Sequence, residues 1–315
     1  MDFFYRVSPF LSGRMAIVAL EPGSGGFMEI IRASVMGFCM GVRRAVEMAE
    51  KVSVEYRDCG CPMFTLGPLI HNPAVMDSLR EKGVDVLDAE NISDVKNGSP
   101  VVIRAHGAGL EIVDELKKRG AVVIDATCPR VRKSQKLVRD WSSRGYGVIV
   151  AGDRNHGEVT GIAGYFDSSS GADFTVVQSV EEAESMEIPE KVMLLAQTTF
   201  SLDKYESIKE ILLRKNPEIK IFDTICPATR ERQQSLKELE GRADGIIVVG
   251  GKNSANTRRL FESASGLFSK AALIEDPDEI PDAFFGLEKI ALTAGASTPD
   301  WIIERVVARL ENIVS

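Results

Sequence analysis

A short β-branched or apolar run that ends in a small polar cluster, with a helical pattern after it, recurs along this chain and limits what it can fold into. Val101-Val102-Ile103 runs into Arg104-Ala105-His106-Gly107, and Val122-Val123-Ile124 runs into Asp125-Ala126-Thr127-Cys128-Pro129. Val148-Ile149-Val150 leads to Asn155-His156-Gly157-Glu158, and the run from Val192 to Ala196 ends in Gln197-Thr198-Thr199. The runs from Ile219, Ile246 and Ile290 end in Asp223-Thr224-Ile225-Cys226-Pro227, in Asn253-Ser254-Ala255-Asn256 and in Thr293-Ala294-Gly295-Ala296-Ser297. Short buried strands alternating with helical stretches such as 111–119 and 201–213 read as α/β units with mainly parallel sheets. Ligands of such sheets bind beyond the carboxyl ends of the strands. A single sheet would spread these polar ends along one edge; several small sheets facing a common centre would bring them together.

Two of the strand ends repeat. Asp125-Ala126-Thr127-Cys128-Pro129 and Asp223-Thr224-Ile225-Cys226-Pro227 share Asp-x-x-Cys-Pro, and Cys39, Cys128 and Cys226 are separated by 89 and 98 residues. Three similar units, each offering one cysteine at a strand end, account for this spacing. Proline favours the first position of a helix, and a helix start favours a thiolate. All three cysteines are therefore placed as ligands, suited to zinc or to an iron–sulfur cluster. The other two, Cys59 and Cys61, lie in a turn-like Cys-x-Cys and read as exposed thiols outside the ligand set. Five cysteines cannot all pair within one chain.

The three histidines, His71, His106 and His156, each follow a strand-like run. Imidazoles there can donate hydrogen bonds to phosphate oxygens. Ser254, Asn256 and Ser297 lie at helix starts and offer further donors, although helix capping alone would also explain them. Glu158 is the candidate acid, because a carboxyl group in a dry pocket holds its proton to higher pH. Thr198 stands where it can orient that proton.

A formal net charge of −8 argues against a nucleic-acid binder. No apolar run approaches the roughly 20 residues that span a bilayer, and the first residues lack the pattern of a signal peptide. A cytoplasmic location is the resulting expectation. Residues 1–27 end in the breaker Glu21-Pro22-Gly23-Ser24-Gly25-Gly26 and read as a flexible extension.

Taken together, the ordered motifs resemble the LytB-type 4-hydroxy-3-methylbut-2-enyl diphosphate reductases. They comprise Gly37-Phe38-Cys39-x-Gly41-Val42, His71-Asn72, Arg104-Ala105-His106-Gly107, Asp125-Ala126-Thr127-Cys128-Pro129 and His156-Gly157-Glu158-Val159, then Gln197-Thr198-Thr199, Asp223-Thr224-Ile225-Cys226, Asn253-Ser254-Ala255-Asn256 and the stretch from Thr293 to Pro299. The resemblance runs from about Met28 to the C-terminal end. It implies three α/β units around a central 4Fe–4S cluster held by Cys39, Cys128 and Cys226. The expected division is a first strand at 28–39 that packs with the C-terminal unit, followed by units at 40–127, 128–225 and 226–315. The resemblance further implies that His71, His106, Ser254, Asn256 and Ser297 hold an allylic diphosphate. His156, Glu158 and Thr198 would surround its hydroxyl, with Glu158 the proton source, and reduced ferredoxin or flavodoxin would be the electron donor.

Three features depart from the family pattern. Ala255 replaces a second serine, Gly157 replaces a common proline and should loosen the loop carrying Glu158, and Arg130 and Arg132 make the segment after Cys128 unusually basic. Two alternatives follow: a divergent paralogue acting on another substrate, and a non-enzymatic iron–sulfur or zinc redox sensor. The sensor would need a fourth cysteine ligand.

Overall fold

The computed structural model describes residues 28–58 and 60–311; the proposed extension 1–27 and Cys59 lie outside them. The chain begins with β1 (Glu29–Arg32) and α1 (Met40–Glu55). A first run of strands follows: β2 (Met63–Leu66), β3 (Val84–Leu87), β4 (Pro100–Ile103) and β5 (Val122–Asp125), with α2 (Pro73–Glu81) and α3 (Leu110–Lys118) between them. After α4 (Pro129–Ser142) come β6 (Gly147–Ala151), α5 (Gly157–Ala163), β7 (Phe174–Val177), α6 (Val180–Ser185), β8 (Val192–Ala196), α7 (Leu202–Lys215) and β9 (Lys220–Ile221). The last stretch holds α8 (Pro227–Lys237), β10 (Gly245–Val249), α9 (Ala255–Leu267), β11 (Ala271–Ile274), β12 (Lys289–Ala294) and α10 (Asp300–Glu311).

These strands form three four-stranded sheets in the orders β3-β2-β4-β5, β7-β6-β8-β9 and β11-β10-β12-β1, and every pairing is parallel. All three are one design. The second strand lies outside the first, the third on the first's other side, and the fourth beyond the third. In the last sheet the fourth place is taken by β1, from the opposite end of the chain, with Ile30 facing Ile290 in register. The fold is three parallel-sheet α/β units, as the alternation of strands and helices implies.

Helices cover both faces of each sheet, so its central strands are buried throughout. β4, β6, β8 and β10 have no exposed or half-exposed residue. Ile149, Leu194 and Ala196 point into one cluster, with Tyr205 and Ile208 of α7, while Val148, Val150 and Leu195 point into another, with Val138 of α4 and Ile162 of α5. This is why these strands read as unbroken apolar runs. Edge strands β3 and β7 need only one apolar face and carry Asp85 and Thr175 on the other, which hides them from a search for continuous runs.

Candidate functional site

Each sheet's order reverses between its first and third strands. In open α/β sheets a ligand crevice opens at that reversal, beyond the carboxyl ends. His71 follows β2 and His106 follows β4; His156 and Glu158 follow β6 and Thr198 follows β8; Ser254 and Asn256 follow β10 and Ser297 follows β12. The fourth strand of each sheet leads to a cysteine: β5 to Cys128, β9 to Cys226 and β1 to Cys39. All of these residues line a single cavity.

One hydrogen-bond pattern repeats three times and stitches the two sets together. The Cys128 N–H donates to the carbonyl of Ala105 at 2.9 Å, the Cys226 N–H to that of Thr198 at 2.9 Å, and the Cys39 N–H to that of Ala296 at 3.1 Å. Each cysteine is thus tied to the loop after its own sheet's third strand, beside His106, at Thr198 and beside Ser297. Each also caps a helix, α4, α8 or α1. Burial pushes the Cys128 and Cys226 thiols up, opposed by the N–H groups of Arg130 and Val131 and of Ala228 and Thr229 respectively. The Asp-x-x-Cys repeat has a structural basis as well. Asp125 and Asp223 accept from the N–H groups of Thr127 (2.9 Å) and Ile225 (3.2 Å), then pair with Arg132 (2.7 Å) and Arg230 (2.5 Å) one helical turn on. Arg132 is accounted for by this pairing.

The thiol cluster has the surroundings an anionic metal group requires. Arg232 of α8 is 3% exposed and makes no ion pair among the described residues; burial lowers its pKa, opposed chiefly by the Cys39 and Cys226 thiols. Its guanidinium donates to the carbonyls of Ala228 (2.8 Å) and Gly37, yet its Nε is buried without a partner. A buried cation without a carboxylate needs compensating negative charge nearby, and three thiolates bound to metal would supply it. Gly41 serves the same end. A Cβ on it would stand 2.6 Å from the Cys128 sulfur, so a side chain there would push into the thiol.

The histidines form a second cluster. One nitrogen from each ring lies within 4.8 Å of the other two, close enough for a shared anion and also for a single metal ion. Burial lowers the pKa of all three, to about 4 at His156, and Arg104 contributes at each. They are therefore neutral donors at pH 7. His156 Nδ1 accepts from the Glu158 N–H at 3.1 Å, which leaves the neutral ring's proton on Nε2. His106 Nδ1 and Asn256 Nδ2 are buried without partners. Buried polar groups are normally satisfied, so both invite a ligand. Ser254 caps α9 through the Thr257 N–H and accepts from the Ser297 hydroxyl at 3.3 Å, so capping and cavity lining coincide in one residue.

Glu158 is 1% exposed. The Thr198 N–H meets its Oε1 at 2.6 Å, and the Thr198 hydroxyl its Oε2 at 2.7 Å. Burial raises its pKa to about 7, against the pull of Thr198. Gly157 does not sit in a loose loop; it is the first residue of α5, capped by His156. A Cβ there would approach Arg104 Nη2 to 2.6 Å, so glycine leaves room for that guanidinium. Ala255 is buried in the same first turn of α9 and lines the cavity without a hydroxyl. Cys61 is disulfide-bonded rather than a free thiol, and it does not line the cavity.

Sequence reasoning missed Arg232, Arg259 and Asp153. No local pattern marks them, because each acts on a segment far away in the chain. It also missed Gly251, whose added Cβ would collide with the carbonyl oxygen of His71, a backbone atom that cannot swing aside. Gly251→Ala should cost about 1–3 kcal/mol and displace His71. Thermal unfolding should start lower; an unchanged melting temperature would show that the His71 loop yields freely.

The LytB protein family model matches residues 30–311. The chain belongs to the LytB family. Its LytB relatives include the 4-hydroxy-3-methylbut-2-enyl diphosphate reductase of Treponema denticola, 45% identical, with 90% of this chain and 99% of that protein covered. The reductase of the same name from Nitratiruptor is 41% identical, with coverage of 91% and 99%. Among solved structures, an (E)-4-hydroxy-3-methyl-but-2-enyl diphosphate reductase, described as the terminal enzyme of the non-mevalonate pathway, is 39% identical, with TM-score 0.66 and coverage of 90% and 99%. The E-1-hydroxy-2-methyl-but-2-enyl-4-diphosphate reductase of Plasmodium falciparum is 29% identical, with TM-score 0.81 and coverage of 90% and 87%. Among the described residues, no helix is long and apolar enough to cross a membrane.

Proposed function

We propose that this protein reduces (E)-4-hydroxy-3-methylbut-2-enyl diphosphate to isopentenyl diphosphate and dimethylallyl diphosphate, the last step of the methylerythritol phosphate route to isoprenoids. The observation that carries this reading is one cavity with three thiols, three neutral imidazoles and a buried carboxyl group along its wall. The reaction replaces a C–O bond by a C–H bond. Two electrons and two protons enter, and the oxygen leaves as water.

Cys39, Cys128 and Cys226 would hold a 4Fe–4S cluster, with three ligands for four corners. When bound, such a cluster supplies electrons one at a time and a Lewis-acidic iron at its open corner. The rest belongs to the chain. His71, His106, Ser254, Asn256 and Ser297 bind the diphosphate, and the unpartnered nitrogens of His106 and Asn256 gain partners in doing so. His156 donates from Nε2 near the substrate hydroxyl. Glu158, protonated through burial and oriented by Thr198, gives the proton that lets hydroxide depart as water. The first electrons would come from reduced ferredoxin or flavodoxin. Among the described residues the redox-sensor alternative finds no fourth cysteine at the cavity, since Cys61 is disulfide-bonded and outside it.

Anaerobic purification followed by turnover of the hydroxylated diphosphate with a strong one-electron reductant tests the whole reading. The expected result is a brown protein with about four irons per chain that forms both products. Stoichiometric zinc in place of iron, or iron-loaded protein inert toward this substrate, would sink it.

A further inference from the structure

Arg259 lies on the second turn of α9, five residues beyond Ser254, and its guanidinium reaches loops of another sheet. Its Nη1 donates to the Thr199 carbonyl at 2.8 Å and to the Thr199 hydroxyl at 3.3 Å, and its Nη2 spans both Asp153 carboxylate oxygens at 2.8 Å. The guanidinium carbon stands 5.2 Å from the centre of the Phe200 ring, and the arginine side chain is 13% exposed. Asp153 is held in turn. Its N–H donates to Gln197 Oε1 at 2.9 Å, and Gln197 Nε2 donates to the Thr199 hydroxyl at 2.9 Å. One guanidinium therefore joins the loop after β6 and the loop after β8 to the helix that starts at Ser254.

We propose that Arg259 and Asp153 form a latch between sheets that sets the distance from the diphosphate cradle to the proton donor. Both are positioning residues, since neither lines the cavity. What the latch aligns rests on the reductase reading. Ser254 and Asn256 stand at one end of it, Glu158 and Thr198 at the other. A substrate has a fixed span from its diphosphate to its hydroxyl. A cradle on one sheet and an acid on another are in register only if the sheets are tied, and a misplacement of about 1 Å costs on the order of 10²-fold in rate. The guanidinium holds the two loops with separate nitrogens, Nη1 on Thr199 and Nη2 on Asp153, in a fixed planar geometry that the single nitrogen of a lysine cannot reproduce.

The test uses Arg259→Gln, Arg259→Lys, Asp153→Asn and the Arg259→Gln/Asp153→Asn double variant. Arg154→Gln is the control, because Arg154 pairs with Glu182 of its own sheet at the surface. In the unliganded protein, amide hydrogen exchange at residues 197–200 should quicken at least about tenfold in Arg259→Gln, with the strand β10 unchanged. In the iron-loaded enzyme, kcat should fall about 10–100-fold while KM and inhibition by inorganic pyrophosphate stay within about threefold. The lysine variant should recover little of the loss, and the double variant should be no slower than the slower single one. Exchange and kcat within about twofold of the parent in Arg259→Lys and Asp153→Asn would overturn the latch, even if Arg259→Gln failed to fold. A loss confined to KM and pyrophosphate inhibition would overturn it too, making Arg259 an anion-binding group. A parent protein without reductase turnover would refute the reaction alone, and the exchange comparison would still decide the latch.

Discussion

Glu158→Gln should give an enzyme that keeps its iron, binds the diphosphate substrate and turns over at least about a hundredfold more slowly, within the usual worth of a general acid. The amide preserves the shape and can still accept the Thr198 N–H, but it carries no acidic proton. A second signature separates this from general damage. The folded Glu158 titrates at about 7, against an ordinary value of 4.5, because burial disfavours its charge. Below pH 4.5 both folded and unfolded chains hold the proton, and burial of the group costs nothing extra. Between 4.5 and 7 the unfolded chain releases it first, so stability declines as pH rises. Above 7 the full penalty stands, about 3 kcal/mol from the size of the shift. The glutamine variant lacks that penalty. It should lose less stability than the parent between pH 5 and pH 8 while being far slower. Turnover near that of the parent would remove the carboxyl group from the mechanism.

Serine in place of Cys39, Cys128 or Cys226 should abolish turnover and leave the protein with little iron, because an alcohol does not replace a thiolate as a soft ligand. The thrice-repeated amide-to-carbonyl bond predicts that all three are equivalent in this respect. The buried Arg232 adds a consequence of the proposed cluster: without it the arginine's charge would lose its compensation, so each variant should also melt earlier. Cys61→Ser should retain full iron content, since Cys61 is disulfide-bonded and does not line the cavity. Iron per chain, the visible spectrum and the melting temperature check the set. A Cys39→Ser protein with full iron would remove that residue from the ligand set.

The likeness between the sheets explains why so much was legible beforehand. A buried parallel strand must be apolar on both faces, so β4, β6, β8, β10 and β12 announce themselves as continuous runs. The residues that end them are the ones at the crevice. The strand–Cys–Pro–helix order is equally local, because proline starts a helix and a cysteine before it becomes the cap. Glu158, Thr198 and the three histidines were visible for the same reason. Cys61 stands outside the cavity as expected but is disulfide-bonded rather than a thiol, because a turn-like Cys-x-Cys carries no sign of whether a sulfur is bonded.

What the sequence by itself determined is therefore the set of strands, their polar ends and the groups offered there, since each depends on a few neighbouring residues. Only the tertiary structure decided which ends meet. β1 enters the sheet of β12 from the far end of the chain and brings Cys39 to the other two thiols. Arg259 reaches Asp153 across 106 residues, and the glycine at 251 gives way to the carbonyl of His71. Burial, which raises the Glu158 pKa to about 7 and keeps the histidines neutral, is likewise a property of the assembled cavity. Charge and protonation depend on distance through space, and chain order records that distance only for neighbours.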